Sequence, residues 1–282
     1  MKKAAVVATL GVVAALVIGG VMLGRLRGHT RFVYLTGQKS GPAAAGWEDV
    51  GWPVASGLTV RARLHRPASP DAPWLLFVPG NDPTPLATGQ RVLDAVRGDA
   101  DWGLAVLSYR GFDASGGAPS PQSLAADTLE LAQRLLRDEK VTGPRLHLIG
   151  FSMGTTIAAR VAAGLAAFQQ SPQTLSLLAS TPSLELVPGG LVAKFLPSDT
   201  YSMVGVEPQV KARVLLMHGE RDTVLPPALG AQVAAAFGPA AKWTVVKSRG
   251  HEDLLDAPEV ISAVRAHVTE PRSEAPPPAP TR

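Results

Sequence analysis

Residues 146–158 read Leu-His-Leu-Ile-Gly-Phe-Ser-Met-Gly-Thr-Thr-Ile-Ala, and this stretch decides the fold. Leu146–Ile149 is an apolar run of the length expected for a buried strand, and Met153–Ala167 is an Ala-rich helical stretch. Between them, Gly150-Phe151-Ser152-Met153-Gly154 has the pattern G-x-S-x-G. A sharp turn from strand to helix forces the serine into a strained conformation that exposes its hydroxyl, and the flanking glycines remove side chains that would clash there. The start of the helix also offers unpaired N–H groups to a developing negative charge. Five residues of this kind recur by chance, so the weight lies in their place between strand and helix.

Outward from this stretch, Leu58–His65 alternates as an edge or antiparallel strand. Trp74–Val78, Leu104–Ser108, Leu175–Ala179, Val214–Met217 and Trp243–Val246 are short, bounded apolar runs of buried-strand type. Helices are expected over Thr88–Val96, Pro227–Phe237 and Leu254–Val268. Another opens at Ser120-Pro121, an N-cap residue with proline at the first helical position, carries Leu124, Leu131 and Leu135 on one face, and should end before Gly143. Strands alternating with helices in this way imply one α/β domain, a mostly parallel twisted sheet of about eight strands covered on both faces.

The chain has 282 residues, a formal charge of +4 and no cysteine. Residues 1–31 hold Lys2, Lys3, Arg25, Arg27 and Arg31 and no acid, so residues 32–282 carry 22 basic against 23 acidic side chains. A body that is nearly neutral does not suit tracking of a phosphate backbone, and nucleic acid is not an expected partner. Without cysteine there are no disulfides, no thiolate metal sites and no Cys nucleophile.

From Ala4 to Gly24 every residue except Thr9 is apolar or Gly. As a helix these 21 positions would extend about 31 Å, the thickness of a bilayer core. An uncleaved N-terminal transmembrane anchor is expected over residues 1–31, with the domain on the extracytoplasmic side; secretion after signal cleavage is the alternative. Residues 32–46 read as a linker, 47–269 as the domain, and 270–282, with five prolines, as a disordered tail. The stretch 181–211 is too long for a plain connection and reads as a small lid, in which Leu186, Val187, Leu191, Val192, Phe195 and Leu196 either pack on the core or face an acyl chain or membrane.

In a doubly wound sheet, reactive groups gather beyond the carboxyl ends of the strands. Asp222 follows the run Val214–Met217 and could orient an imidazole; Glu220 is the competing acid. His251, in Gly250-His251-Glu252-Asp253, could take a proton from Ser152, although a His opening a helix among acidic neighbours is an equally ordinary structural residue. The N–H groups of Met153 and of Asn81, in Val78-Pro79-Gly80-Asn81, suit an oxyanion hole, Asn81 being nearly as well read as a plain turn residue. Each signal is weak. Their joint placement after successive strands, in the order Ser152, Asp222, His251, is not.

Over Gly46–Val268 the chain resembles the α/β-hydrolase superfamily, and within it is most similar to Bem46-like and ABHD13-like proteins, which commonly carry one N-terminal membrane helix. Pro79-Gly80-Asn81, Ser108-Tyr109-Arg110-Gly111-Phe112, Gly150–Gly154 and Gly219–Pro226 carry the likeness. Pro79 stands where relatives have His, and Ser108 where they have Asp. The resemblance implies a serine hydrolase with Ser152 as nucleophile, His251 as base, Asp222 as its partner, and Asn81 and Met153 N–H groups as oxyanion donors. An ester, thioester or amide would be cleaved, a lipid-like acyl compound among the substrates that the anchor suits, with no metal or cofactor. The alternatives are acyl transfer to another alcohol and an inert, membrane-tethered binding module. His65, His147 and His267 form no ligand pattern and are read as structural.

Overall fold

Runs of Leu, Val and Phe too short for a helix can satisfy their backbone only by pairing with one another, and they do so in one eight-stranded sheet. The computed structural model describes residues 34–54, 57–183, 186, 201–239 and 241–271. The strands are β1 (Glu48–Pro53), β2 (Thr59–His65), β3 (Trp74–Val78), β4 (Gly103–Leu107), β5 (Leu146–Phe151), β6 (Thr174–Leu178), β7 (Arg213–Gly219) and β8 (Lys242–Val246), in the order β1-β2-β4-β3-β5-β6-β7-β8. β1 and β2 pair antiparallel, as do β2 and β4; every other pair is parallel.

The period-2 alternation of strand side chains divides the core into two layers. Leu76, Val78, Leu146, Leu148, Leu175 and Leu177 point to one face, where they meet α2 (Pro121–Asp138), α3 (Met153–Ala167) and α4 (Pro227–Phe237) through Leu131, Ile157 and Val233. Leu75, Phe77, Ile149, Phe151 and Leu178 point to the other, against α1 (Pro85–Arg97) and α5 (Pro258–Thr269) through Leu93 and Val264. Strands β3 to β6 are buried along their whole length, which is why they read as continuous apolar runs.

The helix starts are set in different ways. Ser120 caps α2 by a reciprocal box, its hydroxyl accepting the Ser123 N–H while the Ser123 hydroxyl accepts the Ser120 N–H. α1 starts at Pro85, three residues before the expected Thr88, and the Thr84 side chain makes no cap bond. Its exposed N–H groups are instead met from outside: Asp113 accepts from Leu86 N–H (3.1 Å) and the Ser40 hydroxyl from Ala87 N–H (3.0 Å). α5 begins at Pro258 rather than Leu254, because proline pushes Ala257 out of the helical region and restricts Glu252–Leu254 to a single 3-10 turn.

The stretch expected as a linker, 32–46, is described from Tyr34 onward. Residues 34–46 lie as a strap against the domain. Tyr34 is buried and its hydroxyl is 2.5 Å from that of Tyr201; Ser40 hydroxyl donates to Asp113 (2.8 Å), and the Gly41 carbonyl accepts from Arg63. The anchor, the proline-rich tail after Pro271 and most of the lid (184–185 and 187–200) lie outside the described residues. Among the described residues no helix is long and apolar enough to cross a membrane.

Candidate active site

The backbone makes the first element of the site. Ser152 sits between β5 and α3 with φ 51° and ψ −123°, a region that L-residues avoid. The turn is held so tightly that a side chain at Gly154 would come within 2.2 Å of the Val78 carbonyl oxygen, and one at Gly150 within 2.8 Å of the Gly154 oxygen. Glycine at both positions is therefore a steric requirement. Ser152 N–H is fixed by the Leu178 carbonyl at 2.9 Å. Met153 opens α3, so its N–H has no partner inside the helix and stands at the helix N-terminus, a position that suits an anion.

Past the end of β8, His251 turns back over the sheet. Its Nε2 is 3.0 Å from Ser152 Oγ and its Nδ1 is 2.7 Å from Asp222 Oδ2, while its ring lies 5.0 Å from that of Phe151. Asp222 lies just past β7 and folds back on its own loop, Oδ1 accepting Val224 N–H (2.9 Å) and Leu225 N–H (2.7 Å). Glu220, the competing acid, is exposed and accepts the Ser248 N–H instead. Burial by itself would raise the pKa of Asp222. Hydrogen bonds from His218, His251 and the Leu225 N–H outweigh it and hold the carboxyl well below the usual range, so it stays ionised.

Sequence reasoning did not single out His218. It is wholly buried at the end of β7, with Nε2 2.7 Å from the Leu225 carbonyl and 3.3 Å from Asp222 Oδ2. The signal was there, a titratable residue at the end of a buried strand, four positions before the acid on a chain turning back on itself. A side chain at Gly230 would come within 2.3 Å of its ring, so α4 packs directly onto it.

A cavity of about 450 Å³ opens onto Ser152 and His251, lined also by Leu35, Asn81, Phe151, Val224 and Leu255. Asn81 is therefore in the site. Its side-chain Oδ1 accepts the Leu35 N–H at 2.8 Å, so the strap forms one wall of the cavity. The buried Tyr109 hydroxyl donates to the Pro79 carbonyl (2.7 Å), bracing the same loop from below. The other described histidines have structural partners: His65 meets Gly46 O and Arg97, His147 the Thr174 hydroxyl, and His267 the Arg213 carbonyl. Among the described residues no group of three or more His, Asp or Glu could hold a metal ion.

The family description "Serine hydrolase (FSH1)" matches residues 109–252, a span that contains Ser152, Asp222 and His251. An uncharacterized protein of Mycobacterium tuberculosis is 34% identical over 177 residues, 60% of this chain and 61% of that one. The match thus spans under two thirds of that relative's length. Among solved structures, the Pyrococcus furiosus esterase Pf2001 superposes with a TM-score of 0.65 at 18% identity, covering 83% of this chain and 98% of the esterase. Carboxyl esterase 2 of Tuber melanosporum gives 0.62 at 14% identity over 82% and 89%. At such identities the likeness establishes the α/β-hydrolase fold.

Proposed function

The chain belongs to the serine hydrolase (FSH1) family, and we propose that it cleaves carboxylic esters, thioesters or amides through an acyl-enzyme on Ser152. One observation carries this reading: the unbroken hydrogen-bonded line from Ser152 Oγ through His251 to Asp222, at 3.0 and 2.7 Å, opening onto a cavity. Ser152 Oγ attacks the acyl carbon as His251 Nε2 takes its proton. Asp222 keeps the other ring nitrogen protonated and stabilises the imidazolium that forms. The carbonyl oxygen becomes an oxyanion held by the N–H groups of Met153 and Asn81. His251 then returns the proton to the departing alcohol, thiol or amine, and water activated by the same imidazole releases the acid.

The cavity walls support an acyl group of modest size. Phe151, Leu255, Val224 and Leu35 are apolar, and about 450 Å³ falls within the range of small-molecule pockets. The likeness of Pro79–Asn81 and Ser108–Phe112 to Bem46-like proteins, and the apolar run 4–24, support a membrane-held member acting on lipid-like acyl compounds.

The test is fluorophosphonate labelling together with hydrolysis of a p-nitrophenyl ester series by the wild type and by Ser152→Ala. Labelling at Ser152, and a loss on the order of 10⁶-fold in kcat for Ser152→Ala, are expected. Activity retained by a folded Ser152→Ala protein would move the nucleophile elsewhere.

A further inference from the structure

We propose that the mouth of the cavity faces the bilayer that holds residues 4–24, and that the substrate is an acyl ester of a membrane amphiphile entering laterally between Leu35 and Val224. This rests on the hydrolase reading above and adds where the substrate comes from.

The first observation is where the chain joins the domain. Tyr34 and Leu35 are the first described residues, and they sit at the site itself: Tyr34 is tied to Tyr201, while Leu35 donates its N–H to Asn81 and lines the cavity. Ten residues, 25–34, separate Leu35 from the end of the apolar run. Extended, such a tether reaches at most about 40 Å. A domain of this length is itself about 45 Å across. A tether of that reach, fixed at the mouth, is too short for the domain to stand with the opposite end of the sheet on the bilayer. Arg25, Arg27 and Arg31 fall in this stretch, charges that suit an anionic headgroup layer.

The second observation is what the mouth exposes. Leu35 is 49% exposed and Val224 48% exposed, and both line the cavity. Val204, at 76%, follows Tyr201, the residue to which the strap is pinned. Large apolar side chains left in water at a cavity entrance mark a surface that takes an apolar partner. Phe168, Leu186 and Val245 are also exposed, but none of them lines the cavity. Around the apolar pair stand Arg91, Asp82 and Glu252, charges suited to the headgroup layer rather than to the hydrocarbon.

The chain contains no cysteine, so single-cysteine variants of the full-length protein take one fluorophore each. Leu35→Cys, Val224→Cys and Glu252→Cys report from the mouth. Asp71→Cys and Lys140→Cys report from the loops before β3 and β5, at the opposite end of the sheet. Each labelled protein is reconstituted into phosphatidylcholine–phosphatidylglycerol vesicles containing doxyl-labelled lipid. Emission from the mouth positions is expected to shift to the blue and be quenched, and emission from positions 71 and 140 to stay unchanged. If position 35 disturbs the strap, positions 224 and 252 still decide. An amphiphilic ester in the protein's own vesicles is expected to be cleaved ~100-fold faster than the same ester in separate vesicles, as confinement to one surface raises the effective concentration. Equal quenching at both ends, quenching only at the far end, failure of the chain to insert, or equal rates in the two vesicle arrangements would overturn the proposal. Hydrolysis of a soluble p-nitrophenyl ester, followed in parallel, separates these failures from a failure of the hydrolase reading.

Discussion

His218 Nε2 lies 3.3 Å from Asp222 Oδ2, and both side chains are closed to solvent. The carboxylate therefore receives His251, two backbone N–H groups and a share of the His218 Nε2 proton, which also serves the Leu225 carbonyl at 2.7 Å, and this set fixes its orientation toward His251. Replacing His218 by Phe keeps bulk but removes the donor. A loss of about 10- to 100-fold in kcat/KM is expected, the scale for removing a partner that orients a reacting group, with Asn at the same position restoring part of it. The split between kcat and KM separates positioning from plain packing. A misoriented His251 lowers kcat with KM unchanged, because the interaction lost is one made in the transition state. A variant with unchanged kcat and only a lower urea midpoint would leave His218 a packing residue.

Asn81 offers two different groups, and two substitutions distinguish them. Asn81→Ala loses the bond to Leu35 N–H but keeps the backbone N–H assigned to the oxyanion. It should lower kcat/KM by less than about 10-fold, the net worth of one hydrogen bond at a partly exposed site. Asn81→Pro removes the N–H itself and should cost about 10²- to 10³-fold in kcat, in protein whose circular dichroism is unchanged. Equal effects of the two would remove Asn81 from the oxyanion role.

The contrast between Asn81 and Ser152 shows which parts of the site a sequence displays. Ser152 and Asp222 stand just past strands whose burial made them visible as apolar runs, so position along the chain carried their placement in space. The run Trp243–Val246 before His251, expected as a buried strand, is instead the edge strand β8, in which only Val246 is buried. The bond from Leu35 to Asn81, and that from Tyr34 to Tyr201, join segments 46 and 167 residues apart, and no local pattern encodes such pairs. β1 escaped notice for a related reason. Its six residues are exposed or half-exposed, and only Val50 and Trp52 alternate onto the core, split by Gly51 and followed by Pro53, so Glu48–Pro53 carries too short an apolar pattern to stand out; pairing with the backbone of β2 makes it a strand. The order of β3 and β4 in the sheet is likewise a tertiary choice, whereas the Ser120 cap is local and was readable.

The glycine requirement of the turn can be tested separately from its chemistry. A Cβ at Gly154 would stand 2.2 Å from the Val78 oxygen and 2.4 Å from the Pro79 oxygen, both backbone atoms with no freedom to swing aside. Gly154→Ala should therefore lose about 3 kcal/mol or more of unfolding free energy, the range reserved for overpacking and strained backbone, read as a lower urea midpoint. Ser152→Ala changes no contact of this kind and should unfold near the wild-type midpoint. A Gly154→Ala protein of undiminished stability would mean that the turn is looser than its geometry.

Acid lability should arise from two histidines remote from the site. Burial is the main cause that holds His147 down to about 3, with repulsion from His267 and Arg213 adding to it. Burial likewise lowers His267 to about 4, against a raising hydrogen bond to the Arg213 carbonyl. In the unfolded chain both would titrate near 6.5. Because the unfolded state then binds more protons than the folded one, stability is full above that value and falls as the pH drops from about 6.5 toward the folded values. At pH 5 the loss should be on the order of 2 kcal/mol per histidine. Urea unfolding of His147→Gln at pH 7 and pH 5 reads the term directly: the drop between the two pH values should shrink by about that amount, even if the variant is less stable at both. A drop equal to that of the wild type would assign acid lability to other groups.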